Sequence, residues 1–322
     1  MMWIRQVALM GLMIVMSLPL AAGFARAEAP LKIVATTGMI ADAARQIGGD
    51  LVQVRGLMGP GVDPHAYRQT RSDIVAMTRA DLVLWHGLYL EAQMGDFFHD
   101  LERKRQVVAV AEGLPKDMLR SHDTYADKYD PHVWMTPVLW KLVVVEVQNA
   151  LTDARPEAAD TFAANAKAHL ADLDQLVAYG EAVLATVPEN NKVLVTAHDA
   201  FGYFGRSYGF EVLGIQGIST QSEAGLNRIG ELVNLLVERQ ISAVFVESSV
   251  SDRSMRALIE GAAAQGHEVR VGGELFSDAM GADGTYEGTY IGMLDHNIST
   301  IGAALGAEVP ERGMAGKLSA GS

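Results

Sequence analysis

From residue 31 onward the apolar positions alternate between two textures. Short β-branched runs at 31–37, 52–58, 81–85 and 106–111 read as buried strands, because a strand covered on both faces needs no polar alternation. Between them, 38–48 carries Met39, Ile40, Ala43, Ala44 and Ile47 at helical spacing and stops at Gly48-Gly49. Segments 71–79 and 90–103 read as further helices, and a loop runs from 112 to 130. Strand–helix alternation of this kind predicts a mainly parallel sheet with helices on both faces.

At Pro137 the texture changes. One helix is expected over 137–153, and a second over 156–187, where Phe162, Ala166, Leu170, Leu173, Leu176 and Val177 follow the 3.6-residue period. About thirty helical residues span roughly 45 Å, longer than one domain layer requires, so this segment reads as a connector. The alternation then resumes, with strands at 192–197, 211–215, 243–247 and 268–272. Helices are expected at 201–208, 226–239, 252–264 and 290–305. The predicted fold class is α/β: two lobes, each a mainly parallel sheet flanked by helices, joined by a long rigid connecting helix. The expected divisions are a signal peptide over 1–27, a first lobe over 28–153, the connector over 154–188, a second lobe over 189–306, and a polar, glycine-rich, frayed tail over 307–322.

Composition narrows the function. At 322 residues, 49% hydrophobic and 20% charged, the chain has the make-up of a globular protein. Its formal charge of −13 argues against nucleic acid or an anionic membrane surface as partner. There is no cysteine, which removes disulfides, thiolate metal sites, thiol catalysis and a thioether-linked lipid anchor together. Arg5, the apolar run 7–22 and Ala25-Arg26-Ala27 make a cleavable secretory signal, broken by Pro19 and Gly23 and too short for an anchor. A soluble periplasmic protein is expected.

Two copies of one tripeptide then stand out: Asp63-Pro64-His65, within GPGVDPHAY at 59–67, and Asp130-Pro131-His132, within YDPHVWM at 129–135. Proline fixes its own φ and biases the aspartate before it toward an extended backbone, so each copy is a stiff loop presenting an imidazole. In open parallel sheets, ligands bind beyond the carboxyl ends of the strands. His65 follows the second strand and His132 the fourth, His198 ends the first strand of the second lobe, and Asp278 lies just past its last. Three imidazoles and a carboxylate at one sheet edge suit a first-row divalent metal. Each also has a structural alternative: a loop histidine, a backbone-bonded strand end, a turn or cap aspartate.

The remaining histidines carry less. His86 reads as packing, His99, His169 and His267 as solvated, His122 as exposed, and His296 as a satisfied, partly buried histidine. Glu247, at another strand end, is a candidate to accept the free N–H of a metal-bound imidazole. Asp63 and Asp130 read as turn formers, and Asp199 as a cap for the helix at 201.

The segments GVDPHAY (61–67), DPHVW (130–134), TAHDAFGYF (196–204) and GELFSDAMG (273–281), in this order over 31–306, resemble the metal-receptor family of bacterial ABC importers, nearest its TroA-type zinc/manganese members. The resemblance implies one metal ion as cargo between two lobes, held by His65, His132, His198 and Asp278. It also implies delivery to a membrane permease driven by a cytoplasmic ATPase. Two departures matter. Zinc-dedicated members carry a His-rich loop where 113–129 holds only His122, and manganese-dedicated members have glutamate where this chain has His198.

Three nitrogen donors favour Zn2+, with Mn2+ a second possibility. No catalysis and a monomeric state are expected. The rival readings are a zinc hydrolase built on the three histidines, for which Glu247 is the one attractive base, and a metal-binding adhesin.

Overall fold

A computed structural model describes residues 29–122 and 125–319. The predicted signal peptide lies outside the described residues. Lobe one is a four-stranded parallel sheet in the order β2-β1-β3-β4, built from β1 (Leu31–Ala35), β2 (Val52–Gly56), β3 (Leu82–Trp85) and β4 (Gln106–Ala109). Ile33 pairs with Val54 on one side and Leu82 on the other, so β1 is central and its carboxyl end opens onto the loops that carry chemistry. Its helices are α1 (Gly38–Gly48), α2 (Arg71–Arg79) and α3 (Gly95–Glu102). The Thr37 side chain accepts the Ile40 N–H to start α1, and Thr70 with Asp73 forms a reciprocal capping box on α2.

Two long helices follow, α4 (Pro137–Ala154) closing the segment expected for lobe one and α5 (Ala159–Leu184) lying within the 154–188 stretch expected as the connector. α4 opens with proline at its first turn, where no N–H is needed. α5 runs 26 residues, about 39 Å. It packs against α1 and α4 on one side and against the second lobe's helices on the other, which makes it a shared wall. His169, expected to be solvated, is buried on this wall.

Lobe two comprises β5 (Val193–His198), α6 (Gly202–Tyr208), β6 (Glu211–Gln216), α7 (Leu226–Arg239), β7 (Ala243–Glu247), α8 (Arg253–Ala264), β8 (Arg270–Leu275) and α9 (Tyr290–Leu305). β5 pairs with β6 and β7 with β8, all parallel, and the two ladders lie side by side through β5 and β7.

Three expectations need correction. The helix expected over 90–103 begins only at Gly95. Gly87, Leu88 and Tyr89 take positive φ angles, and the buried Glu91 carboxylate accepts the N–H groups of His86 and Gly87, which replaces the first helical turns with tight turns. The last strand was expected to stop at the Gly272-Gly273 pair but runs through it. A Cβ at Gly273 would stand 2.3 Å from Thr300 Cγ2, so glycine here lets α9 lie close on the strand. The tail was expected to fray over 307–322. Its described part folds back instead: Leu318 is buried, Asp295 accepts the Met314 N–H, and Glu287 accepts the Ser319 N–H. Leu318, with Val309 and Met314 packed against the core, and two buried acids outweigh its polar composition.

One continuous core runs from Ile33, Met39 and Leu84 of lobe one, through Trp134, Trp140 and Phe162, to Phe201, Phe245 and Tyr290 of lobe two. Trp140 and Tyr290 stack across it with ring centroids 5.1 Å apart. Among the described residues no helix is long and apolar enough to cross a membrane.

Candidate metal centre

His65 sits on the irregular segment after β2, and the Asp63 carboxylate accepts its main-chain N–H at 2.8 Å. This Asx turn is what the stiff Asp-Pro pair dictates. His132 is presented in the same way, with its N–H donated to Asp130 at 3.0 Å. His198 ends β5, and Asp278 lies three residues past β8. All four are buried, with His132 and His198 fully so.

The four donors converge. His65 Nε2 and His198 Nε2 lie 3.2 and 3.3 Å from His132 Nε2, and the ligand atoms of all four residues fall within 4.8 Å of one another. Asp278 Oδ1 lies 3.4 Å from His132 Nε2, and Oδ2 lies 3.3 Å from His198 Nε2. Neither Asp278 oxygen has a hydrogen-bond partner. A buried carboxylate left without donors costs several kcal/mol unless a cation compensates it.

Ring tautomers follow from the neighbours. His132 Nδ1 donates to Asp130 Oδ1 at 2.7 Å, and His198 Nδ1 donates to Glu247 Oε2 at 2.5 Å. A carboxylate only accepts, so each Nδ1 carries a proton, and each Nε2, once its own proton has left, can turn a lone pair toward the centre. Glu247 thus takes the role expected of it. Asp130 does more than form a turn: one oxygen accepts both the main-chain and the ring N–H of His132. The spacing in sequence signals only the turn, since Asp63, at the same spacing from His65, accepts the main-chain N–H and no ring N–H. Asp199 does not cap α6. It lies 3.8 Å from Arg120, which also faces Asp130 at 3.7 Å.

The electrostatics separate the three rings. Burial drives His65 down to about 3, and the nearby Asp278 charge offsets only part of that. Burial acts the same way on His132, but the hydrogen bond and charge of Asp130, then Asp278, outweigh it and raise the ring to about 9. Against burial, Glu247 and Asp278 raise His198 well above its ordinary value. Burial would push Asp278 up, but His198 and His132 hold it well below the usual carboxylate range.

The other histidines fall outside the cluster. His86 packs edge-on to Trp134, and its Nε2 donates to the Pro131 carbonyl at 2.7 Å, bracing the loop that carries His132. His122 is buried near the mouth of the cleft rather than exposed. His267 is half-buried against the Ile241 carbonyl rather than solvated, His296 is bonded to the Glu274 carbonyl, and His99 is exposed as expected. A cleft of about 910 Å3 between β8, α9 and the tail contains none of the four donors.

Comparison with known proteins places this geometry. Residues 33–304 match the family described as "ZnuA: Zinc-uptake complex component A periplasmic". The chain belongs to this family. Among curated members, it is 50% identical over 279 residues to the manganese-binding lipoprotein MntA of Bacillus subtilis (strain 168), covering 87% of this chain and 91% of that one. It is 46% identical over 281 residues to the zinc-binding protein TroA of Treponema pallidum (strain Nichols), with the same coverage. The solved structure of the periplasmic zinc-binding protein TroA superposes with a TM-score of 0.83, covering 86% of this chain and 99% of that one. The ZnuA-family fold of two lobes and a long connecting helix is therefore the fold of this chain.

Proposed function

We propose that this protein captures one divalent transition-metal ion between its lobes, through His65, His132, His198 and Asp278, and delivers it to an ABC permease powered by a cytoplasmic ATPase. The observation that carries the reading is the convergence of three imidazole Nε2 atoms on a buried carboxylate whose two oxygens have no other partner. Four protein donors fill a tetrahedral shell and leave no open position for a reacting water, which favours a receptor over a hydrolase. Glu247, the base such a hydrolase would need, is committed to His198.

Three nitrogens and one oxygen favour Zn2+ over Mn2+ on ligand softness and the Irving–Williams order. Relatives with printed names of both kinds, manganese-binding MntA and zinc-binding TroA, stand at comparable identity. Zinc is accordingly the preferred cargo of this reading and manganese its competitor. The leader-like segment at 1–27 and the family's periplasmic description support capture in the periplasm. The Bacillus relative is named a lipoprotein, whereas these 322 residues hold no cysteine to carry a thioether-linked lipid.

The test is a competitive zinc titration of metal-free protein. One ion per chain is expected. About 10–16 kcal/mol of binding energy shared among four ligands leaves roughly 3 kcal/mol each, so His198→Ala should weaken zinc on the order of a hundredfold to a thousandfold. Unchanged affinity would sink the assignment. Elemental analysis of protein taken from its own periplasm, followed by zinc–manganese competition at fixed pH, decides the cargo.

A further inference from the structure

The two ends of the interlobe interface are built differently. At the deep end the lobes are fused by buried bonds: Trp134 Nε1 donates to the Ser277 carbonyl at 2.7 Å, the Tyr290 hydroxyl to the Trp134 carbonyl at 2.8 Å, and the Tyr203 hydroxyl to the Asp130 carbonyl at 2.8 Å. These side chains lie in or against the continuous core. The other end has no such core. A cavity of about 80 Å3 reaches His65, and none of the other three donors lines it; its rim includes Tyr89, Gln93, His122, Tyr125 and Gln221. Tyr89 and Tyr125 are 43% and 46% exposed, so this is the side on which the site meets solvent.

Across this mouth the lobes touch through two irregular segments. One is the His65 segment between β2 and α2. The other is the β6–α7 connection at 217–225, sequence GISTQSEAG, with a glycine at each end and Ile218 buried as its foothold. Gln221 Nε2 donates to the His65 carbonyl at 2.8 Å, and the Thr220 hydroxyl donates to Asp63 Oδ2 at 2.6 Å. Asp63 in turn holds the His65 N–H. Both ends of the His65 residue are therefore tied, one directly and one through Asp63, to the opposite lobe. Gln93 Nε2 adds a longer bond to Gln221 Oε1 at 3.4 Å.

We propose that Thr220 and Gln221 form a latch across the mouth that sets how fast the ion enters and leaves, while the four donors set how tightly it is held. The latch rests on the metal-capture reading above. Its bonds end on main-chain and carboxylate groups of the His65 segment, not on any atom that would face the ion. They stabilise the closed mouth whether or not an ion is bound, so weakening them raises the opening frequency of both states. Entry and exit then accelerate together and their ratio moves little. A residue that merely propped the His65 ring would instead raise the exit rate alone and distort the coordination geometry.

Stopped-flow exchange of zinc with a fluorescent chelator separates these outcomes, with Co2+ absorption reporting ligand geometry. For Thr220→Val or Gln221→Ala, association and dissociation rates should each rise about fivefold, and for the double variant on the order of twentyfold, with an unchanged Co2+ spectrum. Gln221→Glu keeps the side-chain size, sets a charge against the His65 carbonyl, and should accelerate exchange in the same sense. Unchanged rates in the double variant would overturn the latch, as would a faster exit alone accompanied by an altered Co2+ spectrum. In either case wild-type binding and the loss in His198→Ala would leave metal capture standing. A wild-type chain that takes up no zinc would overturn metal capture, and the latch with it.

Discussion

Asp63-Pro64-His65 and Asp130-Pro131-His132 are the same tripeptide in two surroundings. In both, the aspartate accepts the main-chain N–H of the histidine two residues on, at 2.8 and 3.0 Å. There the likeness ends. Asp130 also takes the Nδ1 proton of its own histidine, whereas the second oxygen of Asp63 turns away to Thr220 of the other lobe. The rings respond in opposite directions: His132 is raised to about 9, while His65, buried without such a partner, falls to about 3. Local sequence determines the turn, and tertiary surroundings determine what the imidazole does once it is presented.

The sharpest consequence is in pH. Below about 9 the metal-free His132 holds a second proton, and His198, raised well above its ordinary value by Glu247 and Asp278, also holds one at neutral pH, so an incoming ion must expel them, while His65 has none to lose. Zinc affinity should therefore rise with pH by about tenfold per unit for each proton released, with one to two protons per ion. The metal-free fold carries the opposite sign. A raised histidine contributes stability that is fully present below about 6.5 and is lost as pH rises through about 9. Titration in buffers of different ionisation enthalpy counts the protons. Affinity independent of pH between 6 and 8 would erase the contrast between the two tripeptides.

Next in size is the loss of the partner carboxylates. Asp130→Ala leaves the His132 ring free to turn and a buried N–H unpaired, and should weaken zinc about 10–100-fold. Glu247→Ala should do the same for His198, from the other lobe. Glu247→Gln keeps an acceptor for Nδ1 and should retain more affinity than alanine. If either alanine variant bound zinc like the wild type, the orienting carboxylates would be structural only.

These two partners were unequally legible. Asp130 lies two residues from its histidine, but the motif announces only the turn, since Asp63 in the same position bonds no ring atom. Glu247 lies 49 residues from His198 and meets it because β5 and β7 run side by side, which the rule about carboxyl ends of parallel strands anticipated. That rule also brought Asp278 into the site. It works because alternating strands and helices force all strand ends to one edge. What the chain did not reveal depended on packing across that edge. Gln221 reaches His65 from a glycine-flanked loop with no motif, and Leu318 anchors a tail whose composition reads as solvated. His122 and His169 are buried although their local sequence reads as solvated. The two glycines inside β8 read as a stop because the Thr300 and Phe245 side chains that need the space lie on other elements.

The smallest effect sharpens the comparison most. Asp63 occupies the position of Asp130 but touches no ring atom, so Asp63→Ala should cost only about threefold in zinc affinity, through a looser turn before His65. Asp63→Asn, which can still accept the main-chain N–H, should cost less. The pair Asp63→Ala and Asp130→Ala, measured side by side by competitive titration, thus asks one question of two identical tripeptides. A loss at Asp63 as large as that at Asp130 would mean that the turn, which both share, orients the imidazole. A tenfold gap would mean that orientation comes from the carboxylate–Nδ1 bond, which only one copy of the tripeptide makes.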